Sequence, residues 1–429
     1  MPVDICGIKL AHPVINGSGT FDAIAARRVF GDALDANFPF AAFVSKTITL
    51  EPRLGNPPPR LFETAAGLIN SIGLPNRGLA GYLEHDLPQL ATLPVPLITN
   101  VMGSNADEVG QLFDALEGRD EIAAIELNVS CPNVKTGLDI GSDPGELTKL
   151  LAAVRSRSSK PLIVKLTPNT ANVALVASAA EASGADAVSL INTVNSITHL
   201  DLDNMVAFPQ VGGASTHGGY CGSAVKPIAL NMVAEIARDP ATRNLPISGI
   251  GGIGNWSDAA EFIALGAGSV QVCTAAMLHG FRIVEEMKDG LARWMDEKGY
   301  ANVAAFSRKA VPNTTDWKYL DMNFQTIAHI DQDKCIACGK CFVACEDTSH
   351  QAIGRAVLDN GARRYEVIES ECVGCNLCEI TCPVESCITM VPQQTGKPYM
   401  NWTQDPRNPR AEIQPVAAGV GAPAAIETA

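Results

Sequence analysis

The sequence predicts a (β/α)8 barrel, the TIM barrel, followed by a small cysteine-rich domain. Short apolar runs alternate with amphipathic segments over roughly the first 300 residues, and polar or glycine residues end nearly every run. In addition, nine of the 13 cysteines fall between Cys335 and Cys387. At 429 residues, 46% of them hydrophobic, the chain can bury a large barrel core and still have an appendage.

Eight apolar runs predict the barrel strands, and amphipathic segments between them predict helices, for example Asp107–Leu116, Gly145–Arg157, Val173–Ser183 and Asp258–Leu265. Strands that alternate with helices form a parallel sheet, and eight such units are typical of the barrel. A doubly wound open sheet is the alternative. The predicted strands are Pro13–Asn16, Ala42–Lys46, Leu97–Val101, Ala124–Val129, Leu162–Leu166, Ala187–Asn192, Ile247–Ile250 and Ser269–Cys273.

The residues that end these strands favour the barrel, because core packing alone does not explain amide, lysine or glycine residues at the strand exits. In a barrel all eight carboxyl ends meet at one face, where active sites lie. The proline-rich segment Pro52–Arg60 is predicted to be a loop at the same face. The exit residues are Ser18, Gly19, Thr20, Lys46, Thr47, Asn100, Asn128, Lys165, Asn192, Thr193, Gly249, Gly251, Gly252, Cys273 and Thr274.

Charge and hydropathy exclude two classes of partner. The net charge of −14 argues against nucleic acid and against a membrane surface, because both require basic patches. No run of about 18 apolar residues is present to span a bilayer. The segment Met1–Cys6 has neither the basic region nor the apolar run of a signal peptide, so we expect a cytoplasmic protein.

Two cysteine runs share the spacing C-x2-C-x2-C-x3-C, and proline follows only the second run, since Glu346 follows Cys345. This spacing is typical of a ferredoxin-like domain with two [4Fe–4S] clusters, in which the fourth cysteine of each run ligates the other cluster. Structural zinc is the alternative, and Cys387 is left over as a buried thiol. The predicted ligands are Cys335, Cys338, Cys341 and Cys382 for one cluster, and Cys372, Cys375, Cys378 and Cys345 for the other.

We therefore expect a barrel over residues 1–310, a linker over 311–330, the ferredoxin-like domain over 331–392, and an Ala/Pro/Gly-rich tail over 393–429. Two clusters conduct single electrons, and a flavin suits the barrel because it takes two electrons and releases them one at a time.

The glycine-rich segment Gly249–Gly254 fits G-x-G-x-x-G between a strand and a helix. A dinucleotide site would also need an acidic residue at the end of the next strand, and Val270–Thr274 contains none. The segment instead predicts the phosphate site of a barrel, built by N–H groups of Gly251, Gly252 and Thr274. Lys46 and Lys165 are predicted to lie near the N1–C2=O edge of the flavin, where negative charge accumulates on reduction.

The loop after the fourth strand contains Cys131 between Asn128 and Asn133. Its thiol is predicted to be a general acid/base that exchanges a proton with one ring carbon while flavin N5 exchanges hydride with the next. An inert buried cysteine is the alternative, but the flanking amides suit the imide groups of a planar ring.

With these motifs the chain resembles the FMN barrels that oxidise dihydropyrimidines, in two halves. Residues 1–150 resemble NAD-linked dihydroorotate dehydrogenases in HPVINGSGTF, SKTITLEPRLGNPPPR, LINSIGLPNRG and SCPNVKTGLDIGSDP. Residues 160–390 resemble the catalytic subunit of bacterial NAD-dependent dihydropyrimidine dehydrogenase in VSLINTVNSIT, THGGYCGSAVKPIALNMVAEIARDP, LPISGIGGI, VQVCTAAMLHGFRIVE, NTTDWKYLD and the cysteine module. Two explanations account for this combination of two resemblances in one chain: natural divergence of the substrate loops, and a recombined or designed sequence.

The resemblance implies a set of site residues, with Cys131 as the acid/base. The pyrimidine would be held by Asn70, Asn128, Ser130, Asn133, Asn192 and Thr193. FMN would be held by Ser18, Gly19, Lys46, Thr47, Asn100, Asn128, Lys165, Gly222, Gly249, Gly251, Gly252, Cys273 and Thr274.

Two substrates compete under this resemblance. Dihydropyrimidine dehydrogenases usually have a glutamate in the loop after Asn70, whereas this loop continues Ser71-Ile72-Gly73-Leu74 without an acid. Backbone N–H groups of Gly73 and Leu74 could receive the carboxylate of dihydroorotate. The ferredoxin-like domain and the long C-terminal match favour uracil and thymine and their 5,6-dihydro forms, and we give that longer match more weight.

The resemblance also implies partners. With no nucleotide site of its own, the chain is expected to reach NAD(H) only through an FAD- and NAD-binding partner subunit, and to form a homo-oligomer within a hetero-oligomer. A non-catalytic electron-transfer protein is one rival class. An FMN-dependent 2-hydroxy-acid oxidase is another, and it would need a catalytic histidine where Cys131 stands.

Overall fold

The computed structural model describes residues 1–129, 137–348 and 350–410. The chain divides into two compact units, Met1–Thr314 and a second unit that begins at Thr315. This division lies inside the segment 311–330 that the sequence predicts as a linker. Across the described ranges, no helix combines the length and the apolar character needed to cross a membrane.

The first unit is a barrel of eight parallel strands, which confirms the predicted fold class. From the second barrel strand to the eighth, strands that follow one another in the chain are neighbours in the sheet, and the eighth strand pairs with the first. Each strand lies within or overlaps a run predicted from the sequence. The strands are β1 Val14–Asn16, β2 Phe43–Val44, β3 Leu97–Val101, β4 Ile122–Asn128, β5 Leu162–Lys165, β6 Ala187–Leu190, β7 Ile247–Ile250 and β8 Ser269–Val272.

A side chain completes the join between β1 and β2, the two ends of the sheet. The amide of Asn16 donates to the carbonyl of Val44 at 2.8 Å and accepts from the N–H of Val44 at 2.9 Å. One backbone bond, from Ala41 N–H to the Val14 carbonyl at 3.0 Å, adds to it. Asn16 thus pairs with a strand as a peptide group would, inside a fully buried environment.

The helices of this unit place their apolar faces in the same core as the strands; for example, Leu112, Phe113 and Leu116 are fully buried. Asparagine side chains cap several of them, as where Asn105 accepts from the N–H of Glu108 at 3.0 Å. Their bounds are Ala23–Phe30, Asp32–Ala36, Gly78–Gly81, Leu87–Leu90, Ala106–Glu117, Gly137–Ser142, Pro144–Val154, Val173–Ala182, Lys226–Arg238, Trp256–Ala264, Thr274–His279 and Ile283–Glu297.

Additional strands lie at both ends of the barrel. A hairpin of Val3–Ile5 and Ile8–Leu10 packs against the early strand residues Ile15, Ile98 and Ile163. At the opposite end lies an antiparallel sheet, called here the cover sheet, with Leu61–Thr64, Gly67–Asn70, Gly218–Cys221 and Val194–Ser196 in pairing order. The excursion between its last two strands contains the short pairs Leu200–Asp201 with Val206–Ala207 and Gln210–Val211 with Ala214–Ser215.

The second unit is built from two antiparallel strand pairs and two short helices around buried cysteines. Thr326–Ile330 pairs with Ile388–Pro392, and Ile353–Val357 pairs with Arg363–Val367. The helices are Lys340–Glu346 and Leu377–Thr381. Cys341, Cys378 and Cys387 lie in its hydrophobic core together with Ile330, Ile353, Tyr365 and Ile388.

Candidate functional site

A cavity of about 510 Å³ lies between the carboxyl ends of the barrel strands and the cover sheet. The predicted exit residues meet there because parallel strands all point their carboxyl ends to one face. The described site residues that line the cavity are Ser18, Gly19, Lys46, Thr47, Asn70, Asn128, Lys165, Asn192, Thr193, Gly222, Gly251, Gly252, Cys273 and Thr274.

Five predicted site residues are placed differently or lie outside the described chain. Asn100 is fully buried below the cavity and Gly249 faces the core, where an added Cβ would lie 2.5 Å from Cδ1 of Phe262. Neither lines the cavity in the structure. Ser130, Cys131 and Asn133 belong to the segment 130–136, which is outside the described residues.

The glycine-rich wall of the cavity has a backbone that only glycine adopts at low cost. Gly222, Gly251 and Gly252 have φ values of +98°, +134° and +77°. A Cβ on Gly252 would lie 2.8 Å from the carbonyl oxygen of Gly222, and one on Gly222 would lie 2.7 Å from the Cα of Gly67. The wall therefore exposes backbone closely enough for a phosphate group to reach N–H donors, which fits the phosphate of FMN.

A buried polar cluster, organised by one carboxylate, reaches the cavity through Gln271. Glu126 is fully buried and accepts hydrogen bonds from Nδ2 of Asn100 at 2.6 Å, Oγ of Ser189 at 2.8 Å and Nε2 of Gln271 at 3.1 Å. This leaves Oδ1 of Asn100 and Oε1 of Gln271 buried without a hydrogen-bond partner in the structure. Because buried acceptors normally have donors and Gln271 lines the cavity, its Oε1 fits an N–H group of a bound ring such as the flavin.

Amide side chains converge at the cavity. Nδ2 of Asn192 donates to Oδ1 of Asn128 at 3.1 Å, and Nδ2 of Asn70 donates to the carbonyl of Gly219 at 3.0 Å. A Cβ on Gly219 would lie 2.1 Å from Oγ1 of Thr193 and 3.2 Å from Nδ2 of Asn70. The glycine thus gives room for Asn70, at the end of one strand of the cover sheet, and Thr193, directly before another, to approach one another.

The two lysines of the cavity are held differently. Lys165 is buried, whereas Lys46 is half-exposed and its Nζ lies 2.8 Å from Oδ2 of Asp22. Burial works against ionisation of Asp22, but hydrogen bonds from Lys46 and from the N–H of Ala25 outweigh it and lower the pKa of that carboxyl. Asp258 also lines the cavity, where it pairs with Lys226 and accepts from the N–H of Gly254 at 2.8 Å.

Two further thiols line the cavity. Burial raises the pKa of Cys221 to about 11, although a hydrogen bond with Thr274 opposes the shift. Burial also raises the pKa of Cys273, which the nearby Lys165 partly offsets. Both therefore remain protonated near neutral pH, which makes them poor bases.

The loop that follows Asn70 forms another wall, with Ile72, Gly73 and Leu74 as lining residues. Gly73 and Leu74 both have positive φ, at +75° and +55°. The N–H of Asn56 donates to the carbonyl of Ile72 at 3.0 Å, and a Cβ on Gly73 would lie 2.6 Å from atoms of Asn56. This packing fixes the loop conformation against the cavity.

In the second unit the predicted cluster ligands line two separate cavities, in the groups that the crossed pattern predicts. Cys338 and Cys375 are the exposed members of the two groups. One cavity is lined by Cys335, Cys338, Cys341 and Cys382, together with Cys387, and the other by Cys345, Cys372, Cys375 and Cys378.

Sequence reasoning did not select Glu126, Gln271 or Cys221 as site residues. The first two had a usable signal, because each is a polar residue inside an otherwise apolar barrel strand, where a structural role is difficult to explain. Cys221 had no such signal, since its place in the cavity depends on the pairing of Gly218–Cys221 with Gly67–Asn70.

Comparison with known proteins agrees with this architecture. The family described as dihydroorotate dehydrogenase matches residues 1–295, and a 4Fe-4S dicluster domain matches residues 328–390. The catalytic subunit of dihydroorotate dehydrogenase B (NAD(+)) from Pelobacter propionicus is 41% identical over 305 residues, 71% of this chain and 96% of that protein. The same subunit from Bacillus pumilus is 40% identical over 305 residues, 70% of this chain and 93% of that protein.

The NAD-dependent dihydropyrimidine dehydrogenase subunit PreA of Escherichia coli is 39% identical over 262 residues, 60% of this chain and 63% of that protein. Both resemblances seen in the sequence are therefore confirmed. The chain belongs to the dihydroorotate dehydrogenase family, oxidoreductases that act on a CH–CH bond, and it has a 4Fe-4S dicluster domain after the barrel.

Proposed function

We propose that the chain is an FMN- and iron–sulfur-dependent oxidoreductase that interconverts uracil or thymine and their 5,6-dihydro forms. One observation supports this most directly: a single barrel cavity combines a glycine wall, the unpaired buried acceptor of Gln271 and converging amides. The same chain also has a second unit whose cysteines line two cavities suited to [4Fe–4S] clusters.

The residues of the barrel would hold and orient FMN, which when bound supplies hydride acceptance and single-electron release. Gly222, Gly251 and Gly252 would hold its phosphate, and Oε1 of Gln271 would receive a ring N–H group. Lys165, buried at the same face, would stabilise negative charge on the ring.

The chain's own part in the chemistry is to position the substrate and to move a proton. Asn70, Asn128, Asn192 and Thr193 would pair with the imide edge of the pyrimidine. Cys131, with Ser130 and Asn133 beside it, would take the proton from one ring carbon of the dihydropyrimidine as hydride leaves the adjacent carbon. In the opposite direction the Cys131 thiol would return that proton.

Electrons would then leave through two [4Fe–4S] clusters, one held by Cys335, Cys338, Cys341 and Cys382 and one by Cys372, Cys375, Cys378 and Cys345. The terminal acceptor would be NAD on a partner subunit that also has FAD. The relatives are named as subunits, which supports a hetero-oligomer, and we expect this chain to form a homo-oligomer within it.

Dihydroorotate is the second candidate substrate, and the loop after Asn70 favours it. This wall of the cavity contains Ile72 rather than an acid, and Gly73 and Leu74 face the cavity with positive φ. An acidic side chain there would repel a carboxylate, whereas backbone N–H groups would receive it. The relatives named as dihydroorotate dehydrogenase subunits match about 300 residues, and the match to the dihydroorotate dehydrogenase family over residues 1–295 includes this loop.

Anaerobic flavin bleaching tests both candidates on the same protein. The purified chain would be mixed with 5,6-dihydrouracil and, separately, with dihydroorotate, and flavin absorbance followed by stopped flow. Bleaching by dihydrouracil alone supports the proposal, and bleaching by dihydroorotate alone replaces the substrate with the second candidate. Bleaching by neither, in a protein that contains FMN, contradicts the proposed activity.

A further inference from the structure

The cysteine unit repeats one local design twice. In the first half the N–H of Cys335 donates to the carbonyl of Asp331 at 3.0 Å, just after the strand that ends at Ile330. In the second half the N–H of Cys372 donates to the carbonyl of Ile368 at 3.1 Å, just after the strand that ends at Val367. Asp331 and Ile368 are therefore equivalent positions.

The repeat identifies the residue of the second half that is equivalent to Cys387. The N–H of Asp331 donates to the carbonyl of Cys387 at 2.8 Å, and the N–H of Ile368 donates to the carbonyl of Ala352 at 2.7 Å. Each acceptor also directly precedes a strand, at Ile388 and at Ile353. Cys387 and Ala352 thus occupy matching places, one with a sulfur and one without.

The two cavities differ in the same way. The first is lined by its four predicted ligands and by Cys387, and the second by its four predicted ligands and by Ala352. Both Cys387 and Ala352 are almost completely buried, with 2% and 3% of their surface exposed. Among the described residues, five cysteine thiols therefore line the first cavity and four line the second, which also has the thioether of Met390.

The thiol of Cys387, the fifth thiol of the first cavity, is held in place by the fold. Sγ of Cys387 lies 3.6 Å from the carbonyl oxygen of Asp331, to which it donates. Cys387 lines the same cavity as Cys335 and Cys382 and lies with them in one hydrophobic cluster. The backbone is fixed on both sides, since the N–H of Cys387 donates to the carbonyl of Val384 at 3.3 Å and its own carbonyl accepts from Asp331. Cys387 is therefore placed beside the ligands by the fold.

We propose that Cys387 is a reserve ligand of the first [4Fe–4S] site, able to take the iron position of Cys382 when that thiolate is lost. On replacement, the Cys387 thiol would release its proton to solvent and its thiolate would bind the iron, with no change of oxidation state. The inference rests on the two-cluster assignment of the proposed function. The second site has no such reserve, because Ala352 stands at the matching position.

The test compares alanine variants of the full chain, purified anaerobically, by iron content and by low-temperature EPR. The wild-type chain is expected to contain about eight irons, as two [4Fe–4S] clusters require. Cys387→Ala and Cys382→Ala are each expected to keep about eight irons. Cys382→Ala/Cys387→Ala and the matched control Cys345→Ala are expected to lose up to one cluster, or to show the signal of an oxidised [3Fe–4S] cluster.

The decisive comparison is between Cys382→Ala with and without Cys387, because both lack the same primary ligand. More iron and an intact [4Fe–4S] spectrum in the single variant support the reserve ligand. Equal iron and identical spectra in the single and double variants overturn it, whatever the control shows. A wild-type chain with only about four irons would contradict the two-cluster assignment itself and, with it, the inference. None of these readouts requires a substrate, so failure of the pyrimidine activity is detected separately.

Discussion

The side chain of Asn16 on β1 forms both a donor and an acceptor hydrogen bond with the backbone of Val44 on β2, at 2.8 and 2.9 Å. It stands where the two ends of the barrel sheet meet, two residues before the exit residue Ser18. The join that completes the barrel is therefore also the base of one wall of the cavity.

Replacement of Asn16 by leucine is expected to destabilise the barrel by about 2–6 kcal/mol. The substitution keeps the volume but leaves the N–H and carbonyl of Val44 buried without partners, at about 1–3 kcal/mol each. Urea unfolding followed by tryptophan fluorescence would measure the change. As a control, Asn37→Leu, at an exposed helix end, should change stability by less than about 0.5 kcal/mol. An equal loss of stability in Asn16→Leu and Asn37→Leu would contradict the assigned role of Asn16.

Gly252→Ala is expected to abolish retention of FMN, whereas Gly254→Ala is expected to preserve it. At position 252 the backbone has a φ of +77° and an added Cβ would meet the Gly222 carbonyl at 2.8 Å. At position 254 the nearest atoms are 3.5 and 4.0 Å away. Flavin content per purified chain is the measurement. Full FMN content in Gly252→Ala would place the phosphate elsewhere.

Cys131→Ala is expected to slow substrate-dependent flavin reduction by roughly 10²–10⁴-fold with FMN content unchanged, as loss of a general acid/base does. Cys221→Ala offers a matched control, because this thiol lines the same cavity and burial raises its pKa to about 11. Its effect should be at least tenfold smaller. If flavin reduction slowed more in Cys221→Ala than in Cys131→Ala, the proton transfer would be assigned to Cys221 instead.

Ile72→Glu is expected to separate the two candidate substrates. A carboxylate at this wall of the cavity would repel the carboxylate of dihydroorotate, and like charges about 4 Å apart cost about 1–4 kcal/mol. Bleaching by dihydroorotate should slow at least tenfold, while bleaching by dihydrouracil should be maintained. Ile72→Gln introduces a side chain of the same shape as glutamate without the charge, so it should retain any activity with dihydroorotate. Equal losses in both variants would mean that size, and not charge, decides.

His12 is expected to make stability depend on pH below neutrality. Burial lowers the pKa of His12 from 6.5 to about 4, and the nearby charge of Lys288 adds to the shift. The unfolded chain therefore binds more protons between pH 4 and 6.5, so this stability is fully present above pH 6.5 and is lost as the pH falls. From pH 8 to pH 5.5 the loss should be about 1.4 kcal/mol.

Urea unfolding at the two pH values would measure this loss in the wild-type chain and in His12→Gln, which should lack this part of the pH dependence. His85→Gln, at a half-exposed position, should keep the wild-type dependence. An unchanged pH dependence in His12→Gln would show that other groups are responsible.

The sequence by itself determined the fold class, the eight strands and the two cysteine groups. Apolar runs, strand-exit residues and fixed cysteine spacing are local patterns, and each is set by a strong constraint: burial of a strand, convergence of parallel strand ends, or ligation of a cluster. For the same reason most of the predicted site residues that the structure describes line the cavity, because residues at strand exits must meet at one face.

Only the tertiary structure decided which residues from distant segments share an environment. The hydrogen bonds of Glu126 to Asn100, Ser189 and Gln271 join four strands, and the equivalence of Cys387 with Ala352 depends on backbone bonds to Asp331 and Ile368. No local pattern encodes such contacts, because the free energy of a buried polar group depends on the partners that the folded chain brings to it, and not on its neighbours in sequence.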